Sequence, residues 1–241
     1  MKNTSRFFTF FSKKEMTEKK SKILIVCASS LEADLLTGKE NTDPEQINTV
    51  KQFNNSCDII VTGVGATPTA YFLAKYANKY KAILNVGVAG SFNTDIPTKS
   101  VVVIEKDCLA DYGIDDNGNF KHFSNFNFVS NPILANKYLS NPLIKKIDFP
   151  CKLVTGITVS TTSGSIEQVE KLKKRWSADI ETMESAAVFF TCLTEDVPFL
   201  CVRAISNRIE PRVKSSWKIE AAMQNLKEQL DTFINFLNRN S

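Results

Sequence analysis

The run DIETMESAAVFF, Asp179 to Phe190, sets two carboxylates around a thioether and ahead of a small apolar helix. Glu181 and Glu184 suit either of two tasks. Acidic side chains favour helix N-termini, where backbone N–H groups and the helix dipole attract them. A carboxylate is also an acceptor-only group that can hold the hydroxyls of a ligand. A third carboxylate, Glu32, follows the apolar run KILIVCA by four residues. Each has a sufficient structural explanation alone: Glu32 as a solvated first-turn residue, Glu184 as the second residue of a helix capped by Thr182. Arg203 is the odd residue in the apolar run FLCVRAIS. A buried guanidinium is costly unless paired, so it is expected to meet Glu184 or Glu181.

Position turns these separate residues into one candidate site. KILIVCA, CDIIVTGVGA, KAILNVGVAG, SVVVIEKD, CKLVTGITVS and PFLCVRAIS read as strands. They are apolar throughout rather than alternating, and helical segments lie between them. That pattern predicts an α/β fold, a single three-layer domain with a mostly parallel twisted central sheet and helices on both faces. Ser165 is the expected cap of the helix SIEQVEKLKKRW, and the run IDDNGNFKHFSNF is expected to be loop. In open sheets of this kind, ligands bind beyond the carboxyl ends of the strands. Ser29–Glu32, Gly63–Thr67, Gly87–Phe92, Thr158–Thr162, Glu181–Glu184 and Ser206–Arg212 lie there. Two carboxylates brought to one sheet edge from distant segments favour the ligand reading over two separate caps.

Composition removes other chemistries. With 43% hydrophobic and 23% charged residues, the 241-residue chain has material for a large core. The net charge of +4 is a weak argument for nucleic-acid binding. No apolar run approaches the ~18 residues of a membrane span. The cysteines 27, 57, 108, 151, 192 and 201 stand singly, with His122 the one imidazole, so no zinc site is expected and the thiols should be reduced and largely buried. GVGATP at Gly63–Pro68 lacks the last glycine of a dinucleotide fingerprint, as does GVAGSF. No metal or organic cofactor is expected. Residues 1–20, basic and rich in phenylalanine, read as a disordered or mis-started extension ahead of a domain at 21–241.

The blocks NVGVAG, DIETMESAAV and VRAISN, in this order, resemble the purine nucleoside phosphorylase and nucleosidase superfamily. The resemblance runs from Lys22 to about Leu237. Within it, VCASSLEADLL, ADYGIDDNGNF, ETMESAAV and RAISNRIEPR with SSWKIEAA are most similar to the futalosine hydrolases. These enzymes release hypoxanthine from futalosine on one route to menaquinone. The resemblance implies a cytoplasmic homodimer or larger homo-oligomer acting on a small nucleoside and water, with no nucleic-acid or membrane partner. Glu184 would bind the ribose hydroxyls with Met183 against the sugar, and Glu32 would activate water. Val88, Ala89, Gly90, Val159, Arg203 and Ser206 complete the implied substrate site, with Glu181 as a structural partner for Arg203.

One departure from the wider superfamily is Asn207. Adenine-releasing nucleosidases carry Asp after the serine of AIS, as an acid toward the purine. The Asn amide instead offers two N–H donors, suited to the O6 and N7 acceptors of hypoxanthine. Ala28–Leu36 contains Glu32 but no Lys or Arg, and Val88 stands where a hydroxyl residue would serve phosphate. An anion beside an anionic nucleophile is repulsive, whereas it assists water, so hydrolysis is favoured over phosphorolysis. Inosine and methylthioadenosine remain alternative substrates, and a non-catalytic nucleoside-binding protein the alternative class. Arg208 and Arg212 are candidates for the carboxylate of futalosine, and Tyr112–Phe128 for a cover over the site.

Overall fold

The centre of the first apolar run forms strand β1 (Ile23–Cys27), every residue of which is buried. The computed structural model describes residues 21–38, 48–144, 151–210 and 217–241. The expectation for residues 1–20 therefore lies outside the described residues. After β1 the chain forms α1 (Ser30–Thr37), β2 (Lys51–Gln52), β3 (Cys57–Val61), α2 (Ala66–Tyr76), β4 (Ala82–Ser91) and β5 (Val101–Asp107). Next come β6 (Gly113–Asp116), β7 (Asn119–His122), β8 (Leu139–Ser140), β9 (Lys152–Thr158) and α3 (Ile166–Arg175). β10 (Ile180–Thr182), α4 (Ser185–Thr194), β11 (Phe199–Arg208) and α5 (Ile219–Asn240) complete it.

Period-2 alternation inside β1 divides the core. Ile23, Ile25 and Cys27 pack with Leu36 of α1 and with Leu226 and Phe233 of α5. Leu24 and Val26 pack on the opposite face with Leu73 of α2 and Phe189 of α4. A strand buried on both sides has no polar face to show, which is why the sequence reads as a continuous apolar run. Ser165 caps α3 as expected, accepting a hydrogen bond from Gln168 N–H. All six cysteines are free thiols, five of them buried and Cys151 half-buried. Among the described residues, no helix is long and apolar enough to cross a membrane.

Among the described residues the sheet is mixed, with five parallel pairings and four antiparallel ones, and its closure on itself corrects the expectation of an open sheet. Its strands run in the order β10-β9-β5-β11-β4-β1-β3-β2, with β8 beside β5. β1–β3, β1–β4, β4–β11, β5–β9 and β9–β10 are parallel. β5–β11, β4–β10, β2–β3 and β5–β8 are antiparallel. The β10–β4 pairing, Ile180 with Ser91 and Glu181 with Gly90, closes five strands into a ring. Twist accumulated along the ten-residue β4 carries its end round to the first strand of the order. Apolar runs cannot reveal this, because a strand buried on both faces looks the same whichever way its neighbour points. The expected loop after β5 also proves partly ordered: β6 and β7 pair across Asn117-Gly118, both at positive φ. Asn-Gly is the usual signature of such a turn.

Candidate active site

A cavity of about 320 Å³ opens at the carboxyl ends of β1, β4, β10 and β11. Glu32 enters it from α1; Val88, Ala89 and Gly90 from β4; Met183 and Glu184 from the β10–α4 junction; Ser206 and Asn207 from β11. All of the predicted site residues except Arg203 and Val159 line it.

Glu32 is fixed by its own turn. Ser29 caps α1 in a capping box, its hydroxyl accepting from Glu32 N–H. The Glu32 carboxylate answers: Oε2 accepts from Ala28 N–H at 3.1 Å, Ser29 N–H at 3.0 Å and the Ser29 hydroxyl at 3.0 Å. Oε1 accepts from Val88 N–H of β4 at 3.0 Å. The carboxylate lies so close to β4 that a Cβ at Gly87 would stand 2.6 Å from Oε1. A carboxylate has about four lone-pair sites, and those on Oε2 are taken. One site on Oε1 remains for a cavity ligand.

Glu184 is held differently. α4 begins at Ser185, so Glu184 occupies the N-cap position rather than the second helical one, and its side chain makes no cap bond. Thr182 Oγ1 accepts from Ser185 N–H at 3.4 Å instead. That frees the Glu184 carboxylate, whose Oε1 accepts from Gly65 N–H at 2.9 Å. GVGATP, which resembled a dinucleotide loop, thus supplies a backbone donor to a carboxylate 119 residues away. Burial pushes the Glu184 carboxyl above its ordinary value; the Arg203 charge and the Gly65 N–H oppose this, and Glu32 adds to it. A backbone hydrogen bond from Met183 also lowers the carboxyl, and the remaining acceptor sites stay open for hydroxyl groups.

Arg203 lies beneath the cavity and is 1% exposed. Among the described residues it meets no carboxylate as an ion-pair partner. Its guanidinium donates to Asn85 Oδ1 at 2.6 Å, to Ser185 Oγ at 2.8 Å and to Val202 O at 2.9 Å. Neutral acceptors take up its two terminal nitrogens, while the buried Nε has no hydrogen-bond partner among the described residues. The expected pairing with Glu181 or Glu184 is not made, and Arg203 supports the first residue of α4 rather than touching the cavity. Glu181 accepts instead from Ser163, at 2.9 Å from its N–H and 2.5 Å from its hydroxyl. Burial raises the Glu181 carboxyl and these bonds lower it. A further brace of α4 is Thr158, which accepts from Ala186 N–H at 2.8 Å and donates to Asp107 at 3.0 Å. Full burial drives the Asp107 carboxyl up to about 7, against the lowering effects of Thr158 and Arg203. Val159 is also displaced from the predicted site: it packs in the apolar cluster of Ile157, Leu172 and Trp176.

Asn207 reaches the cavity through a register shift. Ile205 pairs with Ala89 but Asn207 pairs with Gly90, leaving Ser206 as the extra residue of a bulge. Ser206 Oγ donates to Asn207 Oδ1 at 2.8 Å, and Asn207 Nδ2 donates to Arg208 O at 2.9 Å. One amide hydrogen remains for a ligand, where the sequence suggested two. Arg208 donates to Thr94 O and does not line the cavity. Arg212 lies outside the described residues. Tyr112, Phe123, Phe126 and Phe128 pack together, edge-to-face except for the stacked pair Phe126–Phe128, and none lines the cavity. Sequence reasoning missed Ala28, Ser163 and Trp217 as lining residues and gave Glu181 another task. Ile209 and Glu181 were within the strand-end segments; Trp217 follows a polar stretch and carried no such signal.

A family model described as the Phosphorylase superfamily matches residues 22–239. The chain belongs to the Phosphorylase superfamily. Among relatives in that superfamily, futalosine hydrolase of Thermus thermophilus is 28% identical over 178 residues, 68% of this chain and 75% of the relative. A 5'-methylthioadenosine/S-adenosylhomocysteine nucleosidase of Buchnera aphidicola is 27% identical over 222 residues, covering 86% of this chain and 85% of the relative. The solved structure of futalosine hydrolase from Helicobacter pylori superposes with a TM-score of 0.70 at 20% identity, covering 90% of this chain and 98% of that one. At that identity the superposition establishes the superfamily fold.

Proposed function

We propose that the cavity hydrolyses the N-glycosidic bond of a purine nucleoside, with futalosine as substrate and hypoxanthine as the leaving base. The observation that carries this reading is the charge of the lining. Glu32, Glu181 and Glu184 contribute carboxylates, and no lining residue among the described ones is Lys, Arg or His. A phosphate dianion would meet repulsion here; water would not. Glu184, with open acceptor sites, takes the vicinal ribose hydroxyls and fixes the anomeric carbon. Met183 lies against the sugar. Glu32 orients a water through its remaining Oε1 site and receives its proton as the new C–O bond forms. The C–N bonding electrons leave with the base, which takes a proton from solvent while Glu32 returns its own to solvent, and the carboxylates stabilise the oxocarbenium-like ribose between these events. Asn207 donates its free N–H toward O6 and N7. The similarity to futalosine hydrolases favours futalosine, and with it a cytoplasmic homo-oligomer on the route to menaquinone.

The methylthioadenosine/S-adenosylhomocysteine nucleosidase relatives support a second reading, with an adenine nucleoside as substrate. Incubation with futalosine, inosine and methylthioadenosine, followed by chromatography of the free base, separates the two. Hypoxanthine released from futalosine at a rate well above that from the other two is the expected result. Adenine release alone would replace the substrate assignment, and no release from any of them would leave a nucleoside-binding protein.

A further inference from the structure

We propose that Asp107 is a positioning residue for Glu184: through the Thr158 hydroxyl it gives α4 the N-terminal acceptor that Glu184 withholds by turning into the cavity. The role rests on the nucleosidase reading, in which Glu184 takes the ribose hydroxyls. Asp107 itself is fully buried at the end of β5 and does not line the cavity. α4 needs acceptors for the N–H groups of its first turn. Glu184 stands at the N-cap, the position whose side chain commonly accepts them, yet its own makes no cap bond. Ala187 N–H finds Glu184 O at 2.9 Å, which leaves the N–H groups of Ser185 and Ala186. Ser185 N–H meets Thr182 Oγ1 at 3.4 Å, and Ala186 N–H meets Thr158 Oγ1 at 2.8 Å. Two threonines in register on β9 and β10 thus replace the cap, and the Glu184 carboxylate is released toward the cavity and Gly65.

The direction of the Thr158 hydroxyl decides whether this substitute works. A hydroxyl carries one proton and two lone pairs. A proton pointed at α4 would face Ala186 N–H donor to donor. Asp107 Oδ1 takes that proton at 3.0 Å, so the lone pairs of Thr158 turn to Ala186 N–H and to the Thr182 hydroxyl at 3.1 Å. Asp107 is held for the task. Its carboxylate accepts from Cys108 N–H, and Gly156 of β9 leaves room for Oδ2, which a Cβ there would strike. Oδ2 has no hydrogen-bond partner among the described residues. A proton on Oδ2 leaves Oδ1 accepting from Thr158, so the relay works in either protonation state of a carboxyl raised to about 7. An amide in place of the carboxyl keeps that acceptor as well. An apolar side chain of similar size does not, and Thr158 then loses the group that fixes it. The competing role is packing alone, which predicts that any well-packed side chain at 107 supports Glu184 equally.

Asp107→Leu and Thr158→Val remove the relay; Asp107→Asn and Thr158→Ser keep it. Hydrogen exchange of the Ala186 amide, followed by NMR, reads the relay directly. Steady-state kinetics read its effect on Glu184, with whichever of futalosine, inosine and methylthioadenosine the wild type cleaves fastest. In Asp107→Leu, which leaves Thr158 in place, the Ala186 amide should exchange about 5- to 10-fold faster than in the wild type, the scale of a lost cap. KM should rise by about the same factor in Asp107→Leu and Thr158→Val, while Asp107→Asn and Thr158→Ser stay within about 2-fold of the wild type. Unchanged exchange in Asp107→Leu overturns the relay. Faster exchange with wild-type KM overturns the positioning role, and so does a loss in Asp107→Asn equal to that in Asp107→Leu. If Asp107→Leu does not fold, the pair Thr158→Val and Thr158→Ser decides by the same comparison of KM. A wild type that releases no base from any of the three nucleosides overturns the nucleosidase reading, and this role with it. An active wild type whose KM all four variants share overturns this role alone.

Discussion

Glu32 and Glu184 reach one cavity equally buried, yet the protein holds them in opposite ways. Glu32 is secured mainly by its neighbours: three of its four hydrogen bonds come from Ala28 and Ser29, and the fourth from Val88. Glu184 is secured from afar, by Gly65 on the loop after β3 and by a brace of Arg203, Ser185, Thr158 and Asp107 beneath α4. A nearly saturated carboxylate has one site left and suits a single small ligand such as water. The Glu184 carboxylate, held by the backbone N–H groups of Gly65 and Met183, keeps acceptor sites for the two hydroxyls of a ribose. The difference in remaining acceptor sites is the physical basis for giving the two residues different tasks.

Isosteric removal of either charge tests that division most severely. Glu32→Gln and Glu184→Gln should each reduce turnover by at least ~10²-fold while the protein stays folded by circular dichroism. Steady-state kinetics should show Glu184→Gln also raising KM and Glu32→Gln acting chiefly on kcat; matching effects on both constants would collapse the distinction. Next in size is Gly87→Ala, whose methyl group would displace the Glu32 carboxylate without touching the Glu184 brace. A drop in kcat of ~10- to 100-fold is expected, since small misplacements at the reacting centre are costly. Unchanged kcat would show that the position of Glu32 is not critical.

Asp107→Asn probes the other side through stability. In the folded protein its carboxyl is raised to about 7 from 3.8, so between those values the native state binds a proton that the unfolded chain releases. Wild-type stability should therefore fall as pH rises from about 4 to about 7, with the loss complete above that. The variant lacks this titration. Urea unfolding should show it gaining on the wild type between pH 4 and pH 8, by on the order of 2–4 kcal/mol. A pH-independent difference would mean that Asp107 does not titrate in this range. The smallest effect belongs to Ser29→Ala, which removes the cap of α1 and one of four bonds to Glu32. About 1 kcal/mol of stability should be lost in the same assay, with a severalfold fall in kcat and no change in KM.

The two carboxylates also mark how far the sequence reaches. By itself it determined the α/β class and the strand ends at which the cavity lies, because burial on both faces and period-3.6 helices leave direct traces in residue order. The capping box of Ser29 and Glu32 closes within one turn, yet from sequence Glu32 reads structurally only as a solvated first-turn residue. The tertiary structure decided which distant groups meet. Arg203 needed buried acceptors, but apolar neighbours in sequence do not reveal that Asn85 and Ser185 would accept from its terminal nitrogens in place of a carboxylate. The ring closure that sets Glu181 beside Gly90, and the bulge that sets Asn207 on the other side, follow from twist accumulated over whole strands. No short window of sequence encodes that sum, so the site's flanks became visible only once the sheet had closed.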